Sequence, residues 1–334
     1  MRAFFHPDQL RHAPALELHN GGFTAYAEVP ARADMILTAI GGAEVPADRG
    51  EAPILRVHDA DYCRFLREAP ALWQAAGRAG EAIPYAFPIV GRRPLRLDRI
   101  DALLGRHGFD ATTPITAETW DAAYASAQTA LAATQTVLDG ERVAFALCRP
   151  PGHHAGADYC GGYCHLNVAA IAAQAARDAG RARVAILDID YHHGNGTQDI
   201  FYDRADVFYA SVHADPASDY PFYWGHADER GEGDGAGTTL NLPLPQGTDL
   251  ATFRAAQATA LDAITAFAPD FLVVSFGADT WEGDPISRFR LTTPDYALLA
   301  ADIAAHGWPT AIVMEGGYAV DALGANVASF RSGF

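Results

Sequence analysis

Val184-Ala185-Ile186-Leu187-Asp188-Ile189-Asp190-Tyr191-His192-His193-Gly194-Asn195-Gly196 is the stretch from which the rest of the chain is read. Its first half is apolar, which predicts a strand over Val184–Asp190 buried on both faces. Its second half is polar and runs into a Gly-Asn-Gly turn. Alternate residues of an extended strand share a face, so the spacing lines up Asp188, Asp190 and His192. Two carboxylates and an imidazole suit a divalent metal. A merely capped strand end would not bury three such groups, because a buried charge without a partner is costly.

The same alternation continues outward. Apolar, β-branched runs predict strands at Val143–Leu147, Val207–His213, Phe271–Phe276 and Thr310–Met314. Alanine-rich stretches predict helices at Trp120–Leu138, Leu166–Ala179, Asp249–Phe267 and Pro294–His306. Such a sequence builds an α/β fold with a mostly parallel sheet covered on both faces, whose ligands sit beyond the carboxyl ends of the strands. Gly80–Thr113 breaks the pattern, with three prolines and five arginines between Arg92 and Arg106. It reads as a long insertion loop, the kind used as a lid, binding loop or interface.

Three more polar clusters fall at predicted strand ends. Arg149-Pro150-Pro151-Gly152-His153-His154-Ala155 follows the first strand, and its rigid turn fixes two imidazoles as proton transfer requires. Asp279 follows Phe271–Phe276, and Glu315-Gly316-Gly317-Tyr318 follows Thr310–Met314. The Gly-Gly turn lets the backbone approach a ligand and delivers the Tyr318 hydroxyl. Asp190, His192 and Asp279 together form a tripod that leaves one or two metal positions open, the catalytic arrangement. Asp188 then lies too far back for the same ion. It can hold a ring nitrogen of His153, or help to bind a second, structural cation to which Ser211 offers another oxygen.

Composition narrows the classes. The net charge is −17, from 41 acids against 24 bases, which repels nucleic acid and attracts cations. Every base is arginine, so no Schiff-base enzyme or P-loop nucleotidase with its phosphate-binding lysine can be built. No apolar run approaches a membrane span and no secretory signal is evident, so the expected location is cytoplasmic. The four cysteines (Cys63, Cys148, Cys160, Cys164) are too few for a disulfide framework and are expected to be reduced.

The chain resembles the histone deacetylase superfamily, and more narrowly bacterial acetylpolyamine amidohydrolases. The motifs that carry the resemblance are Arg149–Ala155, Gly161-Gly162-Tyr163-Cys164, Leu187–Gln198, Gly277–Pro285 and Glu315–Tyr318. Gly196–Tyr202 and Ala227–Gly231 point to the amidohydrolase subgroup. The resemblance implies a three-layer arginase–deacetylase fold, with residues 1–334 as a single deacetylase domain. It implies one catalytic Zn²⁺ on Asp190, His192 and Asp279. It also implies structural K⁺ or Na⁺ near Asp188, Asp190, His192, Ser211 and Val212. A second monovalent site at Phe201 and Val207 is put in doubt by Arg204.

The expected catalytic set is His154 as the proton carrier paired with Asn195, His153 held by Asp188, and Tyr318 as the oxyanion donor. Tyr163 and Tyr220 match paired tunnel aromatics, Gly162 accepts the substrate N–H, and Ile286 lies on the wall. Glu17 matches an acid near the rim and Asp101 another, while Thr112 replaces a third. The expected substrate is a small acetylated amine, such as an acetylated putrescine, cadaverine or spermidine. A homodimer through the insertion loop is expected to narrow the entrance. The alternatives are a broader deacylase on acetyl-lysine-like or neutral amides, and a non-catalytic binder of acylated amines. The intact histidine and tyrosine set argues against the binder. His153 and His154 take the positions that a dinuclear manganese centre would need.

Overall fold

The structure, a computed structural model, describes residues 1–89 and 97–334. Seven strands form the central sheet: β1 (Arg2–Phe4), β4 (Val143–Ala146), β5 (Val184–Asp188), β6 (Val207–Ala214), β7 (Thr239–Leu244), β8 (Phe271–Phe276) and β9 (Thr310–Met314). Their order is β1-β4-β9-β8-β5-β6-β7, and every pairing is parallel. A hairpin of β2 (Leu16–His19) and β3 (Gly22–Ala25) stands apart from the sheet.

The helices are α1 (Ala31–Ile40), α2 (Ala60–Ala75), α3 (Ile100–His107), α4 (Thr119–Leu138), α5 (Val168–Asp178), α6 (Asn195–Phe201), α7 (Leu250–Phe267), α8 (Asp295–Ala304) and α9 (Val320–Ser332). The period-two pattern of the strands assigns them to layers. Ala185, Leu187, Leu272, Val274 and Ile312 pack with residues of α1, α7, α8 and α9. Val184, Ile186, Val207, Val273 and Val313 pack against alanines of α4 and α5 and against Phe201 of α6. Burying each large aliphatic side chain contributes roughly 1.5–3 kcal/mol. That accounts for strands that are apolar on both faces.

The predicted strands Phe271–Phe276 and Thr310–Met314 are present with those bounds, and the four long helices are present with ends shifted by a residue or two. Asp249 and Asn167 accept backbone N–H bonds at the starts of α7 and α5 and set those boundaries. The strand expected to reach Asp190 stops at Asp188. There the Asp188 carboxylate accepts the N–H of Asp190 at 3.2 Å, and the chain leaves the sheet. The expected insertion loop is also corrected. It contains α3, and Ala82 bridges to Ile115. Arg92, Arg93 and Arg96 lie outside the described residues. The four cysteines are free and buried. Among the described residues, no helix is long and apolar enough to cross a membrane.

The topology fixes where chemistry can sit. The chain leaves β5 through α6 on one face of the sheet, whereas it leaves β8 through α8 on the other. Divergent connections open a crevice at the carboxyl ends of adjacent strands, and Asp190 and Asp279 follow those two ends.

Ile264 of α7 is fully buried and remote from that crevice. Ile264→Ala is expected to lower unfolding free energy by about 2–5 kcal/mol, read from urea midpoints, with KM unchanged.

Candidate active site

Donor atoms of Asp190, His192 and Asp279 all lie within 4.8 Å of one another. His192 Nδ1 is 3.2 Å from Asp279 Oδ2 and 3.4 Å from Asp190 Oδ1. Both carboxylates are fully buried. Burial and the repulsion of Asp190 push Asp279 up to about 7. Backbone donors orient the set: Gly316 N–H to Asp190 Oδ2 at 2.8 Å, and Tyr191 N–H to Asp279 Oδ1 at 3.0 Å. Gly277 and Gly316 wall the cradle. A Cβ on them would fall 2.0 Å from Asp190 Oδ2 and 2.4 Å from Asp279 Oδ2.

Two oxygens and an imidazole nitrogen with supporting backbone donors fit a divalent cation such as zinc. A second close group, His153, Cys164 and Glu315, does not fit one. The Glu315 carboxylate already accepts from Gly152 N–H, His153 N–H and the Ser275 hydroxyl, and the Cys164 thiol donates to the Gly162 carbonyl.

The paired histidines occupy two different electrostatic environments. His153 Nδ1 is 3.1 Å from Asp188 Oδ2. Burial opposes its charge, but Asp190 and Asp188 outweigh burial and raise it to about 10. His154 Nδ1 lies 2.7 Å from Asn195 Oδ1. Burial, then the charges of His153 and His192, hold its pKa well below the ordinary imidazole range. The two rings are therefore pushed in opposite directions, His153 toward its charged form and His154 toward its neutral form. Environments that push two titratable groups apart in this way mark acid–base assignments.

Of these groups, His154 and His192 open onto a cavity of about 500 Å³. Gly162, Tyr163, Tyr220, Ile286 and Tyr318 line it with them, together with Phe109, Asp110 and Thr112. Tyr220 crosses His154 at 5.1 Å between ring centroids, and Tyr163 crosses Tyr318 at 5.4 Å. Gly162 has φ +55°, and a Cβ there would strike the His154 ring at 2.1 Å. A larger surface hollow of about 810 Å³, between α7 and α8, holds none of these residues.

Other expectations are revised. Glu17, expected near the rim, is buried and accepts the Tyr163 hydroxyl at 3.1 Å. Asp101 is not among the residues that line the cavity, and on α3 it pairs with Arg78 and Arg99. Ser211 lies beside Asp188 in register, with its hydroxyl 2.7 Å from His213 Nδ1. The Val212 side chain belongs to the apolar core, so only its backbone could serve a cation. The Arg204 guanidinium sits 5.0 Å above the Phe201 ring and pairs with Asp206, which places positive charge at the doubtful second monovalent site.

Three further groups escaped the sequence reading. Glu28 and Arg32 are wholly buried, and Arg32 donates to the carbonyls of Glu315 and Gly317, each at 2.6 Å. Glu28 also pairs with Arg149 at 2.9 Å. In sequence, Glu28 and Arg32 look like an ordinary i,i+4 surface pair. Asp284 accepts the N–H of Tyr318 at 2.6 Å and that of Ile286 at 3.1 Å. Asp110 accepts Gly162 N–H at 2.7 Å and the Tyr220 hydroxyl at 2.8 Å. Its place inside the insertion gave no signal beyond an Asp-Ala-Thr-Thr turn.

Residues 26–333 match the family model of the histone deacetylase domain. Acetylpolyamine amidohydrolase 2 of Pseudomonas aeruginosa is 50% identical, over 100% of this chain and 98% of that protein. The acetylpolyamine amidohydrolase of Mycoplana ramosa is 46% identical, over 100% of this chain and 99% of its own. The crystal structure of acetylpolyamine aminohydrolase from Burkholderia pseudomallei matches with a TM-score of 0.96 at 46% identity, covering 100% of this chain and 98% of that one. The family match and these relatives make the chain a hydrolase acting on amide bonds, a deacetylase. The chain belongs to the histone deacetylase superfamily.

Gly277→Ala places a methyl group against Asp190. The expected result is a folded protein whose zinc affinity falls about 10- to 100-fold, measured by competition with a colorimetric chelator. Unchanged affinity contradicts the cradle.

Proposed function

We propose that this chain is a zinc-dependent amidohydrolase that deacetylates small acetylated amines, of the kind represented by acetylputrescine, acetylcadaverine and acetylspermidine. The observation that carries the reading is that the Asp190, His192 and Asp279 donors converge and that His192 opens, with His154 and Tyr318, onto one cavity. When bound there, zinc supplies Lewis acidity that polarises the amide carbonyl and makes water a stronger nucleophile near neutral pH.

The chain's own residues do the rest. The Tyr318 backbone is held by Asp284, and the Arg32 guanidinium lies 4.9 Å over its ring. Its hydroxyl donates to the carbonyl oxygen as negative charge develops. His154 takes the proton from the attacking water and returns one to the departing amine nitrogen. His153, held by Asp188, serves as an electrostatic partner of the developing anion. The Gly162 carbonyl takes the substrate N–H, and the Tyr163 and Tyr220 rings hold the methylenes of the slot.

Asp188, Ser211 and the Val212 backbone would hold a structural potassium or sodium ion. A homodimer through the insertion would narrow the entrance further. For the substrate, the relatives' names and the −17 charge favour a cationic amine. Asp110 and Asp219 add carboxylates to the cavity wall. One observation favours a broader range of amides: Asp101 is neutralised by arginines, and Thr112 is neutral.

Two tests separate these readings. Turnover of an acetylated diamine, acetylspermidine and an acetyl-lysine peptide is compared on zinc-loaded and metal-stripped protein. The small amines are expected to lead and stripping to abolish activity. A peptide preference contradicts the substrate reading, and metal-independent turnover contradicts the chemistry. Tyr318→Phe is expected to retain zinc and lose roughly 10²–10³ in kcat. Near-normal turnover contradicts its role.

A further inference from the structure

Asn195 is an unusual partner for a base that must keep one ring nitrogen free. An ionised carboxylate only accepts hydrogen bonds, whereas an amide can turn either an acceptor or a donor toward the ring. Something beyond Asn195 has to choose which end faces His154.

The neighbouring contacts make that choice. The Tyr159 hydroxyl donates to Asp199 Oδ2 at 2.6 Å. At neutral pH a carboxylate has no proton to give, so the phenol proton is committed to Asp199. The phenol oxygen is left as an acceptor, and the Asn195 amide nitrogen lies 3.3 Å from it. The same nitrogen makes a longer contact, 3.4 Å, with the His154 carbonyl, also acceptor-only. The amide carbonyl therefore faces His154 Nδ1 at 2.7 Å, and Nδ1 carries the proton. Nε2 has no hydrogen-bond partner among the described residues, and His154 lines the cavity. Its lone pair is thus free to take a proton there.

The parts are seated for this arrangement. Asn195 and Asp199 are one turn apart on α6. A Cβ at Gly156 would fall 2.2 Å from the Tyr159 ring, so glycine there lets the ring approach. The Gly156 N–H donates to the Tyr159 carbonyl at 3.0 Å, and Phe109 meets the ring edge-on at 5.6 Å. Asp199 is exposed, so the chain of bonds runs from the cavity floor to the surface.

We infer that Tyr159 and Asp199 are positioning residues which, through Asn195, fix His154 in its Nδ1-protonated tautomer. The inference rests on the proposed role of His154 in proton transfer. In hydrolases that depend on one imidazole, a wrong tautomer costs up to ~10⁴ in kcat.

The test uses zinc-loaded full-length protein and an acetylated diamine. Tyr159→Phe and Asp199→Asn are each expected to lower kcat at least about 10-fold. KM should stay within about 3-fold, and zinc stoichiometry should not change. Nitrogen NMR of labelled histidine is expected to show His154 leaving the Nδ1–H form. In an Asn195→Asp background, the carboxylate enforces the tautomer unaided, so adding Tyr159→Phe should change kcat by less than about 3-fold. The inference is overturned if the single variants keep wild-type kcat while His154→Ala loses it. It is also overturned if Tyr159→Phe costs the same factor in both backgrounds, the mark of a general structural role. Activity surviving in His154→Ala overturns the reading of the site itself, and the relay with it.

Discussion

Two fully buried carboxylates, Asp190 and Asp279, converge on one imidazole at the divergence of β5 and β8. Like charges withdrawn from water are costly to hold together. The rest of the site is arranged around that constraint. Glycines at 277 and 316 clear the space, and backbone N–H groups of Tyr191, His192 and Gly316 fill the outer lone pairs. Burial and the repulsion of Asp190 raise Asp279, and a divalent cation would offset both. The geometry of the two strand ends is therefore also the geometry of a metal centre.

From that centre, order spreads through hydrogen bonds rather than through the apolar core. The Asp188 and Asp190 carboxylates set the charge of His153, and the charges of His153 and His192 join burial in keeping His154 neutral. Buried Arg32 ties the Glu315–Gly317 turn to α1, and Asp284 ties Tyr318 to the loop bearing Ile286. Asp110 joins the Gly162 and Tyr220 walls. Each is a polar group withdrawn from water whose partners are well placed, so such networks specify one arrangement rather than many.

Much of this was legible in the sequence, because strands buried on both faces announce themselves and because metal donors cluster at their ends. Phe271–Phe276 and Thr310–Met314 match their predicted bounds, and Asp190, His192 and Asp279 do converge. The edge strands were not legible. β1 spans three residues, and β7 contains Pro243, which weakens a strand pattern. The strand end at Asp188 was overrun because its stop is a side-chain bond to the next turn, which periodicity does not encode. Asp101 pairs with Arg99, two residues away, and with Arg78 across a longer stretch of chain, and the second pairing is not written in the local sequence. Glu28, Arg32 and Asp284 were missed for the same reason: their roles exist only once distant loops meet.

One divalent ion is expected on the tripod and nowhere else in the cavity. Anomalous diffraction across the zinc edge, on crystals of zinc-loaded protein, tests it most directly. A single peak bounded by Asp190, His192 and Asp279 is the predicted result. A peak at His153, Cys164 and Glu315, a pair of peaks, or none at the tripod would contradict the account.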